Sequence, residues 1–304
     1  MNTSTFAAID IGSNAVRLLI NNKEELPENS DFKKVAYLRV PIRLGEDVFT
    51  SGYISDEKCS LLCETMKGFA LILKAYNVDY YRGCATSAMR DAKNGAEVID
   101  AIHQKSGLNI EIISGSEEAD IIHEAGGLQK FKTLNLTKNL LYIDVGGGST
   151  EALAYSSEKK VAGYSFQVGT VRMLANAVQT NVCSNFKEKI TDIYNQYGPF
   201  NIIASGGNIN KVYKILKKRE GESIKKSELE ELYQSLSNMT YEERMLNYQL
   251  NSYRADVIIP AIHIFLTIIQ ICQVSEIYVP KIGLVDGIIR RLYKMEHPRL
   301  ESLD

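Results

Sequence analysis

Apolar residues fall in short runs separated by polar and glycine-rich breaks, and the period of those runs changes along the chain. The opening FAAIDIGSNAVRLLI holds two runs, Phe6–Ile11 and Val16–Ile20, around a Gly-Ser-Asn break. That pattern predicts a strand, a tight turn and a returning strand. KVAYLRV predicts a third strand. Ser55 before Asp56 and Glu57 marks a helix start, with acids at the positive end of the helix dipole, and the helical period runs to Tyr76. DYYRGCATSAMR reads as a strand entering a loop, and Asn94 as a cap for the helix GAEVIDAIHQ, which Gly107 ends. NIEIIS is a further strand, and Ser116 begins a helix with Glu117 and Glu118 in its first turn. After the polar connection TLNLTKN the order restarts. NLLYIDV, EALAY and KVAGYSFQV predict strands, 169–179 and 184–197 helices, and NIIASGG a strand ending in glycines. Helix dominates from there, with one strand, EIYV, before GLVDGIIRRLYKM. Three strands followed by alternation thus occur twice, which predicts two α/β domains of similar plan.

The duplication is also local. AIDIGSN and YIDVGGGSTE each end a strand in apolar-Asp-x-Gly, with Asp10 and Asp144 at matching places. Glycine loses the most backbone freedom on folding, so Gly146, Gly147 and Gly148 together call for a reason. Backbone N–H groups exposed by small residues bind anions. A single glycine-rich turn is explained as a turn. Two copies, each with an Asp and a hydroxyl at matching places, favour phosphate held from both sides. The stretch is not a dinucleotide fingerprint, because Glu151 stands where the last glycine belongs, and a Walker A sequence is absent.

The chain has 304 residues, comfortable for two domains, and a formal net charge of -2, which carries no global signal for nucleic acid. Its five cysteines include no CxxC pair, and none of the four histidines has a partner at zinc spacing. An odd cysteine count and the absence of a secretory pattern in MNTSTFAAID suit a reducing cytoplasm. The most apolar stretch, VIIPAIHIFLTIIQICQV, is interrupted by Pro260, His263 and Gln270 and reads as a buried helix, so no membrane association is expected.

The Asp-x-Gly hairpins resemble the phosphate motifs of the acetate kinase, sugar kinase, heat-shock chaperone and actin superfold. More narrowly, AIDIGSNAVRLLI, ATSAMRDAKNG, IEIISGSEEADI, YIDVGGGSTE, IIASGGNINK and RADVIIPA follow the order found in the Ppx/GppA family of exopolyphosphatases and guanosine pentaphosphate phosphohydrolases, in its short two-domain form. The resemblance implies two actin-like (ribonuclease H-like) α/β domains, 1–125 and 126–304, with a cleft between them and a last helix free to pack on the first. It implies hydrolysis of the terminal phosphoanhydride of inorganic polyphosphate, or of the 5′ γ-phosphate of guanosine pentaphosphate. It also implies a divalent metal, magnesium or manganese, with potassium and a homodimer left open. The second acid of its SGxEEA motif, here Glu118, is the catalytic glutamate. GLVDGIIRRL resembles a Gly/Ala-Leu-Arg-Asp/Glu-Gly segment of the family, but Val285 stands where Arg is common.

Phosphoanhydride hydrolysis needs charge neutralisation, in-line placement of water and a proton acceptor. The amides around Gly12, Ser13, Asn14, Gly146, Gly147, Gly148 and Ser149 are the candidates for phosphate. Arg17 and Arg90 would add fixed positive charge, or serve as surface ion pairs. Glu118 would polarise the water, while Glu117 faces solvent or caps the helix. Asp144 and Glu151, and less so Asp10, are candidates for magnesium; each acid could instead brace its own turn. In NKVYKILKKREGESIKK, Lys211, Lys214, Lys217 and Lys218 fall partly on one helical face and could form a channel for polyphosphate, or a solvated face. Competing functions are a guanosine pentaphosphate phosphohydrolase, a kinase of the same superfold, for which SGGN at Ser205–Asn208 resembles an adenosine loop, and a sensor that binds without turnover.

Overall fold

The structure, a computed structural model, describes residues 3–24, 31–125 and 139–297. The chain forms two units, Met1–Ala125 with Leu284–Asp304, and Gly126–Gly283. Most of the TLNLTKN connection lies outside the described residues.

The first unit contains β1 (Thr3–Ile11), β2 (Val16–Glu24), β3 (Lys33–Val40), α1 (Leu44–Ser51), α2 (Asp56–Ala75), β4 (Tyr80–Ala85), α3 (Ser87–Asp91), α4 (Gly95–Ser106), β5 (Ile110–Ile112) and α5 (Gly115–Glu124). Its sheet runs β3-β2-β1-β4-β5. The hairpin strands pair antiparallel, and β4 and β5 join in parallel. β1 is covered on both faces, which explains why it reads as a continuous apolar run and not as an alternation. Ala7, Ile9 and Ile11 enter a core with Leu62, Met66 and Val98 from α2 and α4. Phe6, on the other face, stacks on Tyr80.

The second unit contains β6 (Asn139–Val145), β7 (Thr150–Ser156), β8 (Lys159–Phe166), α6 (Thr170–Leu174), α7 (Thr180–Tyr197), β9 (Asn201–Ser205), α8 (Gly207–Ile215), β10 (Ile224–Lys225), α9 (Lys226–Ser237), α10 (Tyr241–Tyr248), α11 (Ser252–Ala255), α12 (Ile258–Ile271) and β11 (Glu276–Tyr278). Its sheet runs β10-β11-β9-β6-β7-β8. Read from β8 to β11, this is the plan of the first sheet, with β10 added at one edge. Both units are therefore α/β domains of one plan. The apolar stretch forms α12, whose Ile258, Ile262, Phe265 and Ile269 pack in the core of this unit. By length and composition Ser252–Ile271 could cross a membrane, but half of it is buried inside the protein.

The last helix, α13 (Leu284–Glu296), which a linear division leaves in 126–304, belongs to the first unit and packs on β1 and α5. Some local expectations are corrected. Ser114, not Ser116, caps α5, accepting from the Glu117 amide at 3.1 Å. Asn94 precedes α4 but spends its side chain on the Ile54 backbone, at 2.8 and 3.0 Å. The helix expected over 169–179 ends at Leu174, and the next one begins at Thr180.

Candidate active site

Two hairpin turns of equal length lie at the ends of β1 and β6. In the first, the Gly12 amide donates to Ala15 O at 3.2 Å; in the second, the Gly146 amide donates to Ser149 O at 2.9 Å. These two amides close their turns, and in this geometry both donate within the protein.

Most of the turn carbonyls are also taken up internally. In the first turn, Ser13 O accepts from the Gly45 amide at 2.8 Å and Asn14 O from the Arg43 amide at 3.2 Å. In the second, Gly146 O accepts from the Thr170 amide at 3.1 Å and Gly147 O from the Val171 amide at 2.8 Å, while Gly148 O accepts from Arg172 Nε at 2.8 Å. Among the described residues, no backbone bond takes up the amides of Ser13, Asn14, Gly147 or Gly148. The Ser13 hydroxyl, Asn14 Oδ1 and the Thr170 hydroxyl are buried without a hydrogen-bond partner among the described residues. Such groups are costly in a folded interior. In each unit one buried hydroxyl, Ser13 in the first and Thr170 in the second, can donate to an anion beside the turn amides, whereas Asn14 Oδ1 is an acceptor and cannot.

The acids of the two copies sit in different company. Asp10 lies opposite Arg17 in the β1–β2 register, and the two form an ion pair in the first unit. Arg17 reaches back over the turn, so that a side-chain carbon at Gly12 would lie 3.4 Å from its Nη1. In the second unit the position of Arg17 is taken by Glu151, opposite Asp144 in the β6–β7 register. Glu151 is buried and accepts from the Ser165 hydroxyl at 2.9 Å. Asp144 is also beside Ser205, where Gly206 holds φ 116 against the β6 backbone. Neighbouring carboxylates of this kind suit magnesium, which takes one or two protein oxygens and fills the rest with water and substrate. Asp10, engaged by Arg17, suits it less. Among the described residues no group of three or more His, Cys, Asp or Glu could cage an ion.

Glu118 sits near the start of α5 and is 8% exposed. Its Oε2 is 3.6 Å from Arg90 Nη1, and that same nitrogen donates to Ile113 O at 2.6 Å. Arg90 is thereby anchored at the end of β5 with its guanidinium against Glu118. Glu117, expected in solvent or at the cap, pairs instead with Arg82 at 2.9 Å and Arg291 at 3.6 Å. Burial works against the Arg82 charge, but its hydrogen bonds to Glu111 and Glu117 outweigh that and hold its proton more firmly than usual. Burial also pushes the Cys84 thiol up to about 12, so it is no nucleophile at neutral pH.

The basic stretch is not one helical face. Lys211 and Lys214 lie on α8, but the helix ends at Ile215. Lys217 follows in a left-handed turn with φ 53, and Lys218 pairs with Glu228 at 2.7 Å. Lys211 Nζ donates to Gln249 O at 3.2 Å, and Arg254 Nη1 to Gly207 O at 2.6 Å at the start of the same helix. Burial, then the positive charge of Arg254 and Lys214, lowers the Lys211 pKa.

Two residues that the sequence reading passed over support the second turn. Arg172 is buried on the Gly148 carbonyl. Gly169 packs so closely that a side-chain carbon there would lie 2.5 Å from Gly147 O. The only trace in the sequence is the Gly-Thr pair between a strand and a helix, a common turn.

A model of the Ppx/GppA phosphatase family matches residues 20–296, and the chain belongs to that family. It is 32% identical over 186 residues to the bifunctional 3-dehydroquinate synthase/phosphatase of Fusobacterium nucleatum, a match covering 60% of this chain and 28% of that protein. It is 29% identical over 182 residues to exopolyphosphatase 2 of Mycobacterium tuberculosis, covering 58% and 55%. The matches thus span 28% and 55% of the length of these curated relatives. Among solved structures, an exopolyphosphatase from Cytophaga hutchinsonii shares the fold with a TM-score of 0.80 at 22% identity, covering 97% of this chain and 98% of that one. The Aquifex aeolicus Ppx/GppA family member does so with 0.75 at 21% identity over 100% of both chains.

Proposed function

We propose that this protein is an exopolyphosphatase that hydrolyses the terminal phosphoanhydride of inorganic polyphosphate by attack of water. The observation that carries the reading is the pair of matched turns, most of whose carbonyls accept internal hydrogen bonds while, among the described residues, no backbone bond takes up four of their amides and the buried Ser13 and Thr170 hydroxyls have no partner. In the first unit the amides of Ser13 and Asn14, with Arg17, would take phosphoryl oxygens; in the second unit those of Gly147 and Gly148 would do the same. Glu118 would accept a proton from water as the water oxygen bonds to phosphorus. The bond from phosphorus to the bridging oxygen breaks, and the shortened chain leaves with that electron pair. Arg90, anchored on Ile113 O, would aim the Glu118 carboxylate. Magnesium or manganese, held through Asp144 and Glu151, would supply neutralisation of phosphoryl charge.

Polyphosphate is favoured over guanosine pentaphosphate by the cations on α8. Lys211 is crowded by Arg254 and Lys214, and a polyanion relieves that repulsion. The test is phosphate release from long-chain polyphosphate with magnesium, comparing wild type with Glu118→Gln. Release by wild type, with loss of at least ~100-fold in the variant and retained binding, is expected for removal of a general base. Release from guanosine pentaphosphate only would move the assignment to the nucleotide. Tight binding of either without turnover would make the protein a sensor.

A further inference from the structure

The segment GLVDGIIRRL stands out in the sequence for lacking an arginine at 285, and Val285 is buried in α13. What the segment supplies instead is a grip on α5, the helix that carries Glu118, within the same unit. A side-chain carbon at Gly287 would fall onto the carbonyl oxygen of Ile121, so the two helices touch backbone to backbone. Arg291 spans the turns on either side of that contact. Its Nη1 is 3.6 Å from Glu117 Oε1, and its Nε and Nη2 donate to Glu124 Oε1 at 3.0 and 2.6 Å. Glu117, Ile121 and Glu124 stand at i, i+4 and i+7, one stripe along the helix. From the sheet, Arg82 holds Glu117 at 2.9 Å and is itself fixed to Glu111 at 2.8 Å.

We propose that Arg291, together with Arg82, is a positioning residue for Glu118. It sets the rotation of α5 through Glu117 and Glu124, and so keeps the Glu118 carboxylate beside Arg90. A helix with side chains has a radius of roughly 6 Å, so a rotation of about 10° displaces a carboxylate by about 1 Å. A misplacement of that size lowers a rate by up to ~100-fold. Gly287 makes this leverage possible, because any larger residue would separate α13 from α5. The inference rests on the reading of Glu118 as the base, and the test separates the two.

The variants are Arg291→Ala, Arg291→Lys, Glu118→Gln and the double variant Arg291→Ala/Glu118→Gln in the full chain. Phosphate release from long-chain polyphosphate is measured for each, with hydrogen exchange of the α5 amides and thermal melting. Arg291→Ala should lower kcat by ~10-fold or more with KM within about two-fold, and Arg291→Lys should restore part of it. In the Glu118→Gln background the same change should have no further effect, because it acts through Glu118. Hydrogen exchange over 116–122 should accelerate in Arg291→Ala while the melting temperature stays within a few degrees. A loss that persists in the Glu118→Gln background, or unchanged kcat in Arg291→Ala, overturns the proposal. If the wild type releases no phosphate, the exopolyphosphatase reading fails, and exchange decides the clamp by itself. Faster exchange over 116–122 then supports it, and unchanged exchange overturns it.

Discussion

Replacing Gly169 by alanine and Gly68 by alanine makes the same chemical change with opposite expected signs. Gly169 has φ -146 and ψ 162, extended backbone that alanine adopts without strain. The whole effect is therefore steric. A carbon at Gly169 would lie 2.5 Å from Gly147 O and 2.5 Å from Gly148 C, against an ordinary contact distance of 3.4–4 Å. Both neighbours are backbone of the 146–149 turn, so they cannot rotate away. The turn must move by about 0.9 Å, the difference between 3.4 and 2.5 Å. Overpacking of this kind costs about 1–3 kcal/mol. If the Gly147 and Gly148 amides bind the reacting phosphoryl group, the same shift should lower turnover by up to ~100-fold. Gly68 lies inside α2, where an added carbon meets nothing within 4 Å. There alanine should stabilise the protein by about 0.5–1 kcal/mol, by restricting the unfolded chain and improving helix propensity, with turnover unchanged. Urea unfolding and phosphate release on both variants provide the check. Wild-type stability and activity in Gly169→Ala would refute the packing argument. Loss of activity without loss of stability would leave the turn in place as a ligand site but not as a strained contact.

Other consequences concern charge. Burial opposes ionisation of Asp47, but hydrogen bonds from Lys58 and Ser55 outweigh it and hold its pKa below the usual Asp value. A depressed carboxylate contributes stability above the unfolded value of about 3.9 that is lost as pH falls through the lower folded value. The melting difference between wild type and Asp47→Asn should therefore be full at pH 6 and shrink below about pH 4; a constant difference would contradict it. Lys211→Ala/Lys214→Ala should weaken binding of long polyphosphate and flatten its dependence on salt, measured by titration at two ionic strengths, while leaving very short chains little affected.

Much of the plan is legible in the sequence because it is local. The strand periods, the two Asp-x-Gly turns 134 positions apart (144 − 10) and the acids opening α5 depend on neighbours within a few residues, where backbone geometry ties residue type to conformation. The matched turns were readable as a repeat, yet their amide usage was not. That Gly12 and Gly146 close the turns follows from a bond to the residue three positions on, which forms only when the strands take their observed register. Likewise a lone Asp10 or Glu151 says nothing of its opposite number. Register makes one an ion pair with Arg17 and sets the other beside Asp144.

The remaining decisions are contacts between segments far apart in the chain. Arg291 meets Glu124 across 167 positions, and Gly287 meets Ile121 only because α13 returns to the first unit. No periodicity in GLVDGIIRRL announces that partner, since an apolar helical stripe is equally at home on any core. The sequence by itself settled which segments become strands, turns and helices, because those choices rest on local sterics and on the side-chain period. Folding in three dimensions settled which carboxylates are paired, which amides remain free and which glycine must stay small, because those outcomes depend on distances that the chain acquires only when its layers pack.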